Sequence, residues 1–207
     1  MELQTFIGTV ILVTVSGALA PGPLFFGLLL NGSKQGARAG VSCAVGHTII
    51  EFPLVIALAL GLLAAASQPL IKTGIGLAGG VGLIGFGVLQ VYGTLKVQKA
   101  ESANTSKLPA NSLILGLAFS GLNPYFILWW LSIGSVLIVQ ALAFAAIAGI
   151  LIMYASHVWM DYAWLTLVAH LAKKGQSLMG SRYYRFAVVA FGLILIGYGL
   201  QFIIAVI

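Results

Sequence analysis

Long apolar runs separated by short polar stretches dominate this chain. They run approximately Phe6–Leu30, Val41–Ala66, Ile75–Leu95, Leu113–Leu137, Ala141–Leu171 and Phe186–Ile207. Each reaches the roughly 20 residues that a helix needs to cross the hydrocarbon core of a bilayer. The pattern predicts an all-α polytopic membrane protein, a single transmembrane domain over residues 1–207 with six transmembrane helices. The fifth run is overlong, so it is expected to tilt or to extend beyond the core. Two runs contain helix breakers. Pro21-Gly22-Pro23 interrupts the first and Asn123-Pro124 the fourth. Proline lacks the amide donor and clashes with the preceding turn. At membrane depth, broken backbone is tolerated where it packs on protein or lines a polar cavity. The breaks are therefore either kinks that shape their helices or parts of a transport site.

The two halves of the chain repeat one another. Pro23–Leu30 answers to Pro124–Leu131, and the stretch Gly46–Phe52, with His47 and Glu51, answers to Ser156–Tyr162, with His157 and Asp161. Leu83–Gly87 answers to Leu195–Gly199, with Gln90 and Gln201 soon after. The three pairs come in the same order, at offsets between 101 and 112. This divides the chain into repeat one (about 1–96), a polar linker (about 97–111) and repeat two (about 112–207). Three spans is an odd number, so the second repeat crosses in the opposite sense. Inverted repeats of this kind are an arrangement of secondary transporters, whose sites lie near the midplane between the repeats.

Composition agrees. The chain has 207 residues, of which 60% are hydrophobic and 7% charged, with a mean hydropathy of +1.09. A soluble domain carries roughly 25% charged residues. The net charge of +6 points to no nucleic-acid partner, because the basic residues sit in short loops. Lys34, Arg38, Lys96, Lys99, Lys107, Lys173, Lys174, Arg182 and Arg185 fall on one side and Lys72 on the other. The positive-inside rule places the nine in the cytoplasm and both termini outside. The first run lacks a basic n-region, so it is not read as a cleaved signal.

Of the Lys, Arg, Asp and Glu residues, only Glu51 and Asp161 fall inside a run. A charge at a helix centre costs about 2.5–3.5 kcal/mol on insertion scales. Each acid has a histidine four residues earlier, on the same helical face. Three readings are open. The pairs are inert buried partners; or Glu51 and Asp161 take up and release protons with His47 and His157 tuning them; or the four side chains bind a divalent cation. Pro21, Gly22, Pro23, Asn123, Pro124, Gln90 and Gln201 are the candidate substrate contacts. Exposed half-helix N-termini at the breaks would suit a substrate carboxylate.

Other chemistry is excluded or unsupported. A single cysteine, Cys43, allows no internal thiol relay. There is no Walker loop and no Gly-x-Ser-x-Gly or His-Glu-x-x-His motif. An enzyme is not expected, nor a cofactor. The Gly-rich helices leave a homodimer open.

Gly17-Ala-Leu-Ala-Pro21-Gly22-Pro23, the basic loop Gly36-Ala-Arg38-Ala-Gly40, and Gly121-Leu-Asn123-Pro124 resemble the signature of the LysE/RhtB amino-acid exporters. The resemblance covers nearly the whole chain. It implies export of amino acids or related small metabolites driven by protons. Leu24 and Tyr125 stand where such proteins usually carry Asn and Lys, and the acids Glu51 and Asp161 lie outside the general signature. A divalent or heavy-metal cation exporter is the alternative.

Overall fold

A computed structural model describes residues 2–19, 23–65, 69–96, 109, 111–175 and 182–206. Among these residues the regular structure is helical, with no strand. The helices are α1 Leu3–Ala18, α2 Pro23–Gln35, α3 Ala37–Ala65, α4 Pro69–Lys96, α5 Ser112–Gly121, α6 Pro124–Trp129, α7 Ser135–Lys173 and α8 Arg182–Val206. One π-helical turn, Trp130–Gly134, joins α6 to α7.

The breakers act where their chemistry demands. The first apolar run is split into α1 and α2, which resumes at Pro23, a residue with no amide to lose at a first helical position. The fourth run is split at Leu122 and Asn123. Leu122 closes α5, its N–H bonding to Ala118 O at 2.9 Å, and the Asn123 carbonyl opens α6 by accepting from Ile127 N–H at 3.2 Å. Asn111 caps α5, with its Oδ1 accepting from Leu113 N–H at 2.9 Å. Gly36, with φ of +66°, ends α2 in the left-handed conformation that glycine adopts without steric cost. Among the described residues, two helical stretches are alone long and apolar enough to cross a membrane, Ala37–Leu62 and Phe126–Lys173. The helices α1, α2 and α5 beside the breaks are shorter. The linker expected near residues 97–111 lies largely outside the described residues.

The overlong fifth run has a local explanation. Inside α7, Ala145 and Ala146 leave helical geometry, at φ/ψ of −154°/34° and 49°/−131°. A Cβ built on Gly149 would collide with the Ala141 carbonyl. In an unbroken helix residues eight apart lie about 12 Å from one another, so the chain folds back here. The sequence pattern placed this boundary near residues 137–141. The structure moves it to 145–146, because an alanine-rich stretch carries no Pro or Gly to announce the turn. Ala146 occupies a region that disfavours a Cβ, a strain of about 1–3 kcal/mol. Ala146→Gly should therefore raise the unfolding midpoint in detergent and Ala146→Val should lower it, as read by a thermal melt.

Close approach of backbones sets the packing. A Cβ on Gly46 (α3) would strike the Leu113 carbonyl, and one on Gly116 (α5) would strike the Cys43 carbonyl. Gly40 faces the Thr166 backbone, and Gly32 would meet Ala169 Cα at 2.7 Å. These contacts press α3 and α2 onto α7. Gly80 and Gly199 oppose one another between α4 and α8, where an added Cβ would stand 2.9 Å and 2.6 Å from the facing carbonyls. Two apolar clusters result. One gathers Phe6, Val10, Val13, Val55, Trp129, Trp130, Met153 and Tyr154. The other gathers Phe25, Leu28, Cys43, Ala44, Leu115, Leu165 and Val168. Along α3 the polar residues 47–51 fall between Ala44 of one cluster and Val55 of the other. Along α7 residues 157–161 fall between Tyr154 and Leu165. The acids and histidines thus form a polar layer between two apolar ones.

Candidate functional site

Glu51 is the centre of this layer and is 1% exposed. Its Oε1 lies 3.1 Å from His47 Nε2 and 3.1 Å from His157 Nε2. Trp130 Nε1–H donates to the same oxygen at 3.1 Å, and the Tyr154 hydroxyl donates to Oε2 at 3.3 Å. Asp161 Oδ2 lies 3.2 Å from His157 Nε2. The two acid–histidine pairs expected from the sequence are therefore one cluster. Each histidine contacts the acid on its own helix, and His157 also reaches across from α7 to Glu51 on α3.

The outer ring nitrogens are held as well, each by a hydroxyl from a neighbouring helix. His47 Nδ1 lies 2.6 Å from Ser120 Oγ on α5. His157 Nδ1 lies 2.9 Å from Thr14 Oγ1 on α1. Ser120 Oγ–H also reaches the Gly116 carbonyl at 2.7 Å, so one hydroxyl links the His47 ring to the α5 backbone. The other nitrogen of each ring, Nε2, points at Glu51 Oε1. Both rings are therefore fixed at both nitrogens, between the shared carboxylate and a hydroxyl of a neighbouring helix.

Ser120 is a residue that the sequence did not single out, and it yields a direct expectation. Ser120→Ala should lower the thermal unfolding midpoint in detergent, by the roughly 1 kcal/mol that one buried hydrogen bond contributes. Ser120→Thr should retain it.

The π turn contributes geometry. Its wider winding leaves both Trp129 and Trp130 buried, and the Ser135 hydroxyl bonds the Trp130 carbonyl at 3.0 Å. Single π turns inside α-helices are frequent at functional sites. The Trp130 ring packs edge-on against His157 at 5.1 Å, and Phe126 packs edge-on against His47 at 5.1 Å. The cluster is not fully satisfied. Among the described residues, Trp129 Nε1 and Asp161 Oδ2 here, and Gln140 Oε1 on α7, are buried with no hydrogen-bond partner. Asp161 Oδ2 lies 3.2 Å from the same His157 Nε2 that points at Glu51 Oε1 at 3.1 Å, so the two carboxylates compete for one ring nitrogen. Each such orphan costs about 1–3 kcal/mol.

His47, Glu51, His157 and Asp161 are thus gathered in one place. Asn123 sits half-buried between α5 and α6, two residues beyond the Gly121 that ends α5. Pro23 and Pro124 open α2 and α6. Gln201 is exposed on α8. Pro21 and Gly22 lie outside the described residues, as do the side chains of Pro23, Pro124 and Gln90. Sequence reasoning missed Thr14, Ser120, Trp130 and Tyr154. Their one sequence signal was a polar group within an apolar run; for Tyr154 there is also its place three residues before His157, on the same face.

A helical chain whose breaks fall inside its apolar runs, with acids and histidines buried between packed helices, has the build of a membrane transport protein. The chain belongs to the LysE type translocator family, whose model matches residues 15–206. It is accordingly a membrane translocator of small molecules. No curated protein and no solved structure matches the chain.

Proposed function

We propose that this protein is a secondary transporter that exports amino acids or related small metabolites from the cytoplasm across the plasma membrane in exchange for protons. In this reading six spans form two inverted three-helix repeats, α1–α4 and α5–α8, with both termini outside. Contacts between equivalent helices support the pairing: α3 with α7, and α4 with α8. So do the hydroxyls. Ser120 of repeat two serves His47 of repeat one, and Thr14 of repeat one serves His157 of repeat two.

One observation carries the proton reading: a single oxygen of Glu51 is shared by histidines from both repeats. A proton gained or lost there alters the attraction between α3 and α7. That is a local charge change acting on the interface whose rocking would give alternating access. Substrate would bind near the interrupted helices at Pro21-Gly22-Pro23 and Asn123-Pro124.

Export of a divalent cation is the second reading. It draws on His47, Glu51 and Asp161 offering ligand atoms within 4.8 Å of one another. The proton reading is preferred because Glu51 Oε1 is already engaged by Trp130 Nε1–H and two imidazole nitrogens. It is an occupied acceptor rather than an open ligand. Efflux from proteoliposomes, with amino acids and metals as cargo and with and without an imposed pH gradient, tests both. Amino-acid efflux that rises with an inward proton gradient is expected. Transport of a divalent cation alone, or solute movement indifferent to the gradient, would overturn the proton-exchange reading.

A further inference from the structure

Two orphaned polar atoms flank His157 from opposite partners, and their chemistry is complementary. Trp129 Nε1 is a donor and only a donor. Trp129 is 7% exposed, its ring 6.0 Å from that of His157, and its N–H has no acceptor. Asp161 Oδ2 is an acceptor. Asp161 is 8% exposed, the oxygen lies 3.2 Å from His157 Nε2, and it receives no hydrogen bond. An unmet donor and an unmet acceptor beside one ring are a defect if they are meant to meet nothing, because buried polar groups are paired almost without exception.

The placement of Trp129 sharpens the point. It is the last residue of α6, five residues past the Asn123-Pro124 break. Its indole edge faces Gly17 in the last turn of α1. A Cβ there would stand 3.0 Å from Nε1, so only glycine lets α1 pack this closely against the indole edge. That turn immediately precedes the Pro21-Gly22-Pro23 break. The unmet donor therefore lies where the two interrupted helices come together. Asp161 is one helical turn from His157, toward the α5-side cluster that contains Leu165.

We propose that Trp129 and Asp161 are the residues that read the two ends of the exported solute: Trp129 Nε1–H donates to its carboxylate, and Asp161 Oδ2 accepts from its ammonium. This assignment rests on the solute-export reading above and adds the recognition chemistry to it. The groups that face Asp161 are His157, 3.2 Å away, and Glu51 and His47, whose polar atoms lie within 4.8 Å of its carboxylate. None of these fills the Oδ2 acceptor.

The test is equilibrium binding to the purified, detergent-solubilised full-length protein. The twenty L-amino acids are screened first. The tightest binder is then compared with its own methyl ester, which lacks the carboxylate charge, and its N-acetyl derivative, which lacks the ammonium. Wild type should favour the free amino acid over both. Trp129→Phe should weaken the free amino acid about tenfold, the size expected for one charge-assisted hydrogen bond, and weaken the ester, whose carbonyl is a neutral acceptor, markedly less. Asp161→Asn should weaken the free amino acid and the ester but leave the N-acetyl derivative unchanged. Because each variant is read as a ratio between ligands, general misfolding lowers all three and does not imitate the expected pattern. If one variant does not survive purification, the other decides alone. Binding by wild type with unaltered ligand ratios in both variants overturns the assignment and leaves the export reading standing. Failure of wild type to bind any of the twenty overturns the amino-acid reading together with it.

Discussion

Glu51→Gln should abolish proton-driven efflux, lowering the initial rate in proteoliposomes under an inward proton gradient by on the order of a hundredfold. The estimate follows from the number of groups that converge on this carboxylate: two imidazole nitrogens, the Trp130 N–H and the Tyr154 hydroxyl. Each hydrogen bond to a charged acceptor is worth about 1.5–3 kcal/mol, and about 2.7 kcal/mol is a hundredfold. Glutamine keeps the shape and one acceptor oxygen but cannot carry the proton. The fold should survive. Breaking a buried ion pair usually costs about 3–5 kcal/mol because the other charge is stranded. A histidine is not stranded, since it can release its proton and stay neutral. The variant is therefore expected to run as a folded species on size exclusion while net transport fails. Glu51→Gln at wild-type rate and wild-type pH dependence would remove Glu51 from the coupling.

The second large effect is structural. Gly116→Ala and Gly46→Ala should each destabilise the protein by about 3 kcal/mol or more, at or above the usual range for overpacking. At both positions the added Cβ would collide with backbone: the Cys43 carbonyl for Gly116 and the Leu113 carbonyl for Gly46. A side chain can rotate away, but a helical carbonyl cannot. The α3–α5 crossing must open, and with it the 2.6 Å contact between His47 and Ser120. Gly61→Ala and Gly85→Ala are the controls. No atom stands within 4 Å of a Cβ at either site, and alanine is favoured over glycine in a helix interior by roughly 0.5–1 kcal/mol. Denaturation midpoints should fall for the first pair and hold or rise for the second. Equal effects in both pairs would mean that close packing at the crossing is not what aligns the site.

The legible parts of the protein were those written in local chemistry. Pro21, Pro23 and Pro124 announce their helix breaks because proline lacks the amide donor of a helical turn, although α3 carries Pro53 without ending there. Glu51 and Asp161 stand out because a carboxylate in an apolar run has no cheap solvation. Their histidines follow from helical periodicity, which makes residues four apart neighbours. The reversal at Ala145–Ala146 was not legible. It depends on Gly149 packing against Ala141, a contact that exists only after the chain has turned. The partners Ser120, Thr14, Trp130 and Tyr154 were illegible for a related reason. A serine or tryptophan in a membrane helix is ordinary until its neighbour is known.

By itself, then, the order of residues determined a helical membrane protein with interrupted helices and two matched acid–histidine pairs, because hydrophobic length, proline geometry and the cost of buried charge all act within a single segment. Only the tertiary structure decided that the two pairs are one cluster, that Glu51 receives both histidines, and that Ser120 and Thr14 hold the outer ring nitrogens. Those facts depend on which glycines let which helices approach, and a distance between helices is a property of the packed molecule that no single segment encodes.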